Sequence, residues 1–105
     1  MASRIETIEK LIAEKGEDVF LVYSLGMELA SAERFDEAAT RFRRCIELDG
    51  AYLPAYTEAG KAYRSAGRLE QAREMFAAGM GLAAQQGEKH MRDHLQQQLD
   101  GLPRG

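Results

Sequence analysis

Tryptophan is missing from this chain, cysteine occurs once and proline twice. A single thiol, Cys45, cannot staple a small secreted domain, so a reducing, cytoplasmic setting is expected. With so few prolines, and with Ala, Glu, Leu, Gln and Arg abundant, helix is favoured over sheet. No sustained alternation of apolar and polar residues signals a strand. No run approaches the roughly 18 apolar residues of a membrane span, and the opening MASRIETIEK lacks the apolar centre of a signal peptide, so no membrane association is expected. Lys and Arg are spread out and the net charge is −3, whereas nucleic-acid binding needs a dense basic face, so no nucleic-acid partner is expected either. No Ser or Cys is flanked by a candidate His base, so catalysis has no starting point, and neither an enzyme nor a cofactor is expected.

What is present fits one small helical domain over residues 1–105, with 45% apolar and 30% charged residues. Ser3 and Glu6 form a capping box ahead of Ile5, Ile8, Leu11 and Ile12, which predicts a helix over 4–15 that Gly16 ends. Asp18 can cap a second helix over 19–31, VFLVYSLGMELAS, which is apolar on nearly every side and so demands cover. A third begins near Asp36, with Ala38, Ala39, Phe42, Cys45, Ile46 and Leu48 inward, and Asp49 and Gly50 break it. Pro54 suits the first turn of a fourth that runs to about Ser65. The fifth covers about 69–85, with Leu69, Ala72, Met75, Phe76, Met80 and Leu82 inward, and the sixth about 88–100, striped by Met91, Leu95 and Leu99. Residues 101–105 look like a frayed tail.

The chain also repeats itself. GMELASAERFDEAATRF (26–42) and GKAYRSAGRLEQAREMF (60–76) pair Gly26 with Gly60, Arg34 with Arg68, Ala38 with Ala72 and Phe42 with Phe76, always 34 positions apart. Glycine on a helix face lets a second helix approach closely, Ala38 and Ala72 permit the same from the other side, and the two Phe fill the wider gap beyond the crossing. The unit is therefore an antiparallel helical hairpin. Period and pattern resemble the tetratricopeptide repeat, W-x₂-L-G-x₂-Y, then A-x₃-F, then P. Residues Tyr56, Ala59, Gly60, Tyr63, Ala72 and Phe76 carry the resemblance in the second copy, and Val22, Leu25, Gly26, Leu29, Ala38 and Phe42 in the first. The Trp slot is never Trp, and the Pro slot holds Gly50 and Ala84.

That resemblance implies an all-α, right-handed solenoid of about six helices. Repeat 1 spans 19–52, repeat 2 spans 53–86, and 87–100 forms a capping helix. One period before Phe42 and Ile46 stand Ile8 and Ile12, so helix 4–15 resembles the second half of a degenerate earlier repeat. One period after Tyr56 and Gly60 stand His90 and His94, a poor match. A shift of 35 lands on Met91 and Leu95 and restores the stripe, so the last helix carries a one-residue slip.

The resemblance also implies a function, a scaffold that holds a protein or peptide on its concave groove. By it, Phe20, Tyr23 and Met27 face the groove, with Thr57, Lys61 and Arg64 one repeat on and Arg92 at the basic end. An apolar stripe rimmed by charge suits a peptide with apolar anchors and an acidic or C-terminal carboxylate. The alternative is a homodimer through the apolar face of helix 19–31. The Lys, Asn and Arg clamp with which some family members hold the acidic tails of heat-shock chaperones is not formed, because Tyr23 and Met27 occupy its first-repeat positions. His90 and His94 share a helix face at zinc-ligand spacing. The general-base Glu and a third ligand are missing, so surface or partly packed histidines are expected and no metal. Cys45 reads as a packed, inert thiol.

Overall fold

Helix boundaries follow local chemistry. The Ser3 hydroxyl accepts the Glu6 N–H at 3.1 Å, and Asp18 Oδ1 accepts the N–H groups of Phe20 (2.8 Å) and Leu21 (3.3 Å), each satisfying donors that a helix start leaves unpaired. The computed structural model describes residues 3–104. The helices are α1 (Arg4–Lys15), α2 (Val19–Ser31), α3 (Phe35–Leu48), α4 (Leu53–Ser65), α5 (Leu69–Gln86) and α6 (Lys89–Asp100), and no strand occurs among the described residues.

Three of these helices end in one way. After α2, α4 and α5 a residue with positive φ reverses the chain: Glu33 (61°), Gly67 (78°) and Gly87 (72°). The next N–H then closes back by five residues, Arg34 to Leu29, Arg68 to Tyr63 and Glu88 to Ala83, at 2.8–2.9 Å. This is the left-handed helix stop in which glycine is at ease. It makes α2–α3 and α4–α5 tight antiparallel hairpins.

Inside each hairpin the repeat residues meet differently from the expectation. A Cβ added to Gly26 would lie 2.6 Å from Phe42 Cε1, and one added to Gly60 would clash with the Phe76 ring in the same way. The glycine makes room for the aromatic itself, and the Phe fills the crossing rather than a gap beyond it. Phe42 and Phe76 are consequently among the largest fully buried side chains. Ala38, Ala39 and Ala72 are buried as expected, while Leu48, expected inward, is exposed in the last turn of α3.

The helices pack chiefly on their sequence neighbours, and α2 also touches α4, giving an elongated stack of 42 × 29 × 19 Å. Polar ties hold the linkers. Arg44 grips Glu17 with Nε and Nη2 (3.0 and 2.8 Å) and reaches Glu47 with Nη1 (3.2 Å), which fastens the α1–α2 linker to α3. Arg68 donates to Asp36, Tyr56 to the Gly50 carbonyl (2.8 Å) and Gln86 to the Ala51 carbonyl (2.9 Å).

The two ends depart from expectation in opposite senses. Leu102 is only 6% exposed and joins a core cluster with Leu53, Phe76, Ala83 and Leu95, and the Pro103 carbonyl accepts from Arg73 Nη2 at 3.0 Å. The described part of the expected frayed tail is therefore docked, because Leu102 has an apolar slot to fill; Gly105 lies outside the described residues. At the other end α1 buries no residue fully, although Ile5, Ile8 and Ile12 pack against the core from outside.

Candidate functional site

The face lined by α2 and α4 begins with aromatic residues. Tyr23 sits between two rings, Phe42 at 5.5 Å and Tyr52 at 5.4 Å between centroids, and Tyr52 also meets Phe20 edge-on at 5.8 Å. Phe20 is nevertheless 63% exposed and Met27 39% exposed. Burial pushes the Tyr23 hydroxyl up to about 12, helped by the nearby Glu58 carboxylate, so this patch stays neutral across the physiological range. Tyr52 is not among the residues to which the sequence pattern points. It precedes α4 and lies outside any helical stripe, so no periodicity flags it.

The remaining expected groove residues are not all brought together. Thr57 is only 5% exposed, with its hydroxyl 3.6 Å from Met91 Sδ on α6, so the capping helix covers it and it cannot line an open groove. Lys61 stands free on α4 except for Glu58, 3.5 Å away one turn earlier. Arg64 projects its guanidinium over the Phe76 ring, 6.0 Å from the centroid, and donates to Gln98 of α6. Arg92 does not join them. It borders a small cleft at the α5–α6 turn with Lys89 and Glu88, and bonds Asp93 at 3.3 Å. The expected basic end thus reduces to Lys61 and Arg64, and the half-buried Glu58 carboxylate offsets part of the first charge.

Two larger clefts flank the aromatic patch. One of about 450 Å³ lies between α1 and α2, lined by Arg4, Thr7, Ile8, Leu21, Met27 and Glu28 among others. Another of about 310 Å³ runs along Tyr52, Pro54, Gln86 and Met91.

Elsewhere the titratable groups serve structure. Cys45 is buried, its Sγ 3.7 Å from the Val19 carbonyl, and burial pushes the thiol up to about 11, away from a reactive thiolate. His90 is exposed and His94 half-buried, and among the described residues no group of three or more His, Cys, Asp or Glu could hold a metal. No described helix is long and apolar enough to cross a membrane.

Stacked antiparallel hairpins with a ring of one helix seated on a glycine of the other, repeated at 34 residues, define a helical-repeat solenoid. A tetratricopeptide repeat family model matches residues 29–91. The TPR repeat-containing protein PA0015 of Pseudomonas aeruginosa is 34% identical over 85 residues, covering 81% of each chain. Among solved structures, protein BPP2914 from Bordetella parapertussis superposes with a TM-score of 0.82 at 27% identity, covering 95% of this chain and 87% of that one. A tetratricopeptide repeat domain protein from Salinibacter ruber does so with a TM-score of 0.72 at 28% identity, covering 79% and 84%. This chain belongs to the tetratricopeptide repeat family, whose members serve in general as protein-interaction modules.

Proposed function

We propose that this protein is a non-catalytic adaptor whose concave face holds a protein or peptide segment in the cytosol. The observation that carries the reading is Phe20. A phenylalanine that leaves most of its surface in water while leaning on Tyr52, with Met27 exposed on the same helix, is apolar area kept available for a partner. One apolar anchor of the partner would settle against Phe20, Tyr52 and Met27. An anionic group would be oriented by Lys61 and Arg64, the two cations that α4 presents. The buried, unreactive Cys45 is consistent with a reducing compartment.

The test is capture of partners by the wild-type chain and by a Phe20→Ser, Lys61→Glu double variant. Both positions are outside the buried core, so the fold should survive, and retention of all partners by the variant would sink the reading. The same exposed face favours one other occupant, a second copy of the chain. Light scattering separates the two: a wild-type monomer removes the dimer seam, whereas a dimer that Phe20→Ser dissociates removes the open groove.

A further inference from the structure

The internal repeat describes what would cover the open side of α1. Moving Ala38, Phe42 and Cys45 of α3 back by one period lands on Arg4, Ile8 and Leu11 of α1. In α3 all three are buried, because α2 lies over them: Phe42 is seated on Gly26, Cys45 clusters with Val22, and Ala38 with Leu29. In α1 no residue is fully buried; Ile8 and Leu11 are half-buried, and Leu11 belongs to no core cluster. Among the described residues no helix stands to α1 as α2 stands to α3, and beside Arg4 and Ile8 a cleft of about 450 Å³ opens between α1 and α2, with Leu11 one turn further along α1.

The same correspondence describes the occupant. Its residue at the Val22 position would face Leu11, its residue at the Gly26 position would face Ile8, and its residue one turn further, at the Leu29 position, would face Arg4. Because Ile8 replaces a phenylalanine, the glycine of α2 is not required there, and an aliphatic side chain can fill the space. Arg4 replaces an alanine and changes the last contact from apolar to charged. Its side chain is 85% exposed and spends only Nε on Glu28, at 3.2 Å, so a second carboxylate can share the guanidinium.

We infer that the face between α1 and α2 is a docking groove for one amphipathic helix of a protein partner. That helix runs antiparallel to α1, carries two aliphatic residues four apart against Leu11 and Ile8, and places a carboxylate about one turn beyond against Arg4. Among the described residues none of the six helices presents that combination on its open side: the outward face of α6 is polar, and Leu21–Leu25–Glu28 of α2 has its middle member buried. A second copy of the chain therefore does not supply the helix. The groove shares Tyr23 and Met27 with the concave face, whereas Phe20, Lys61 and Arg64 do not line it.

The probe is a fluorescein-labelled, capped alanine-based helix of roughly 16 residues carrying Leu at two positions four apart and Glu three beyond. It should saturate the protein. Leu11→Glu should weaken binding by about tenfold or more with the melting temperature retained, since Leu11 is outside every core cluster. Arg4→Glu should weaken it too, and a probe with Lys in place of Glu should regain affinity for that variant. The Phe20→Ser, Lys61→Glu variant should bind the probe as wild type does, which separates this groove from the concave reading. The inference is overturned by absence of saturation at about 1 mM probe, by unchanged affinity in Leu11→Glu, by loss in the concave-face variant, or by a protein dimer that Leu11→Glu dissociates.

Discussion

Glu33 and Gly67 occupy the same turn of successive repeats, and both have positive φ, 61° and 78°. A side chain with a Cβ is held there at a cost of about 1 kcal/mol that glycine avoids. Glu33→Gly should therefore raise stability by roughly 0.5–1 kcal/mol, read as a higher urea midpoint at constant slope. The opposite sign is expected at Gly26. An added methyl would meet the Phe42 ring at 2.6 Å, so Gly26→Ala should cost about 1–3 kcal/mol. Phe42→Leu in the same chain should recover part of that loss, and strict additivity of the two variants would rule out the ring-on-glycine account.

At the scale of elements, the two ends of the stack differ in how firmly they are held. Leu102 is buried in the core cluster that holds Phe76 and Leu95, so Leu102→Ala should destabilise the protein by about 2–3 kcal/mol, whereas a frayed tail would show no change in thermal melting. α1 has no fully buried residue, while α3 buries four. The amides of α1 should then exchange through local opening, well before those of α3 and α5, and equal protection of α1 and α3 would contradict the half-covered N-terminal face. Charged ties join the elements as well. The guanidinium of Arg44 lowers the Glu17 carboxyl below its usual range, that of Arg68 lowers Asp36 and that of Arg34 lowers Glu37. A carboxyl lowered in the folded state stabilises it above its unfolded value, 4.5 for Glu17 and Glu37 and 3.8 for Asp36, and that support is lost as pH falls through the lowered folded values. Stability should thus fall below about pH 4.5, and the fall in urea midpoint from pH 7 to pH 3 should be smaller in an Arg44→Gln, Arg68→Gln chain.

For the molecule as a whole, the solenoid has two unlike termini. On the C-terminal side α6 covers Thr57 with Met91, buries Leu95 against the second hairpin and turns a polar side outward. At the N-terminal end α1 covers α2 from one side only, leaving Phe20, Met27 and Leu11 with access to water. Phe20 and Met27, two of the large apolar side chains left exposed, both lie on α2, and a partner that occupies them should show as a rise in melting temperature that saturates with partner concentration.

Helix positions, the 34-residue period and the core stripe Val22, Leu25, Gly26 and Leu29 were all legible in the sequence, because each is set by neighbours a few residues away: a cap, a glycine, a 3.6-residue recurrence. What lay beyond the sequence were contacts between residues far apart in the chain. Thr57 closed off by Met91, Tyr52 inserted between Phe20 and Tyr23, Arg92 turned toward another cleft and Leu102 drawn into the core all depend on how one helix seats on the next. A periodic pattern tells which side of a helix is apolar. Only the tertiary structure decides which neighbour covers it, since that is settled by ring-on-glycine fit and by the length of the turns between helices.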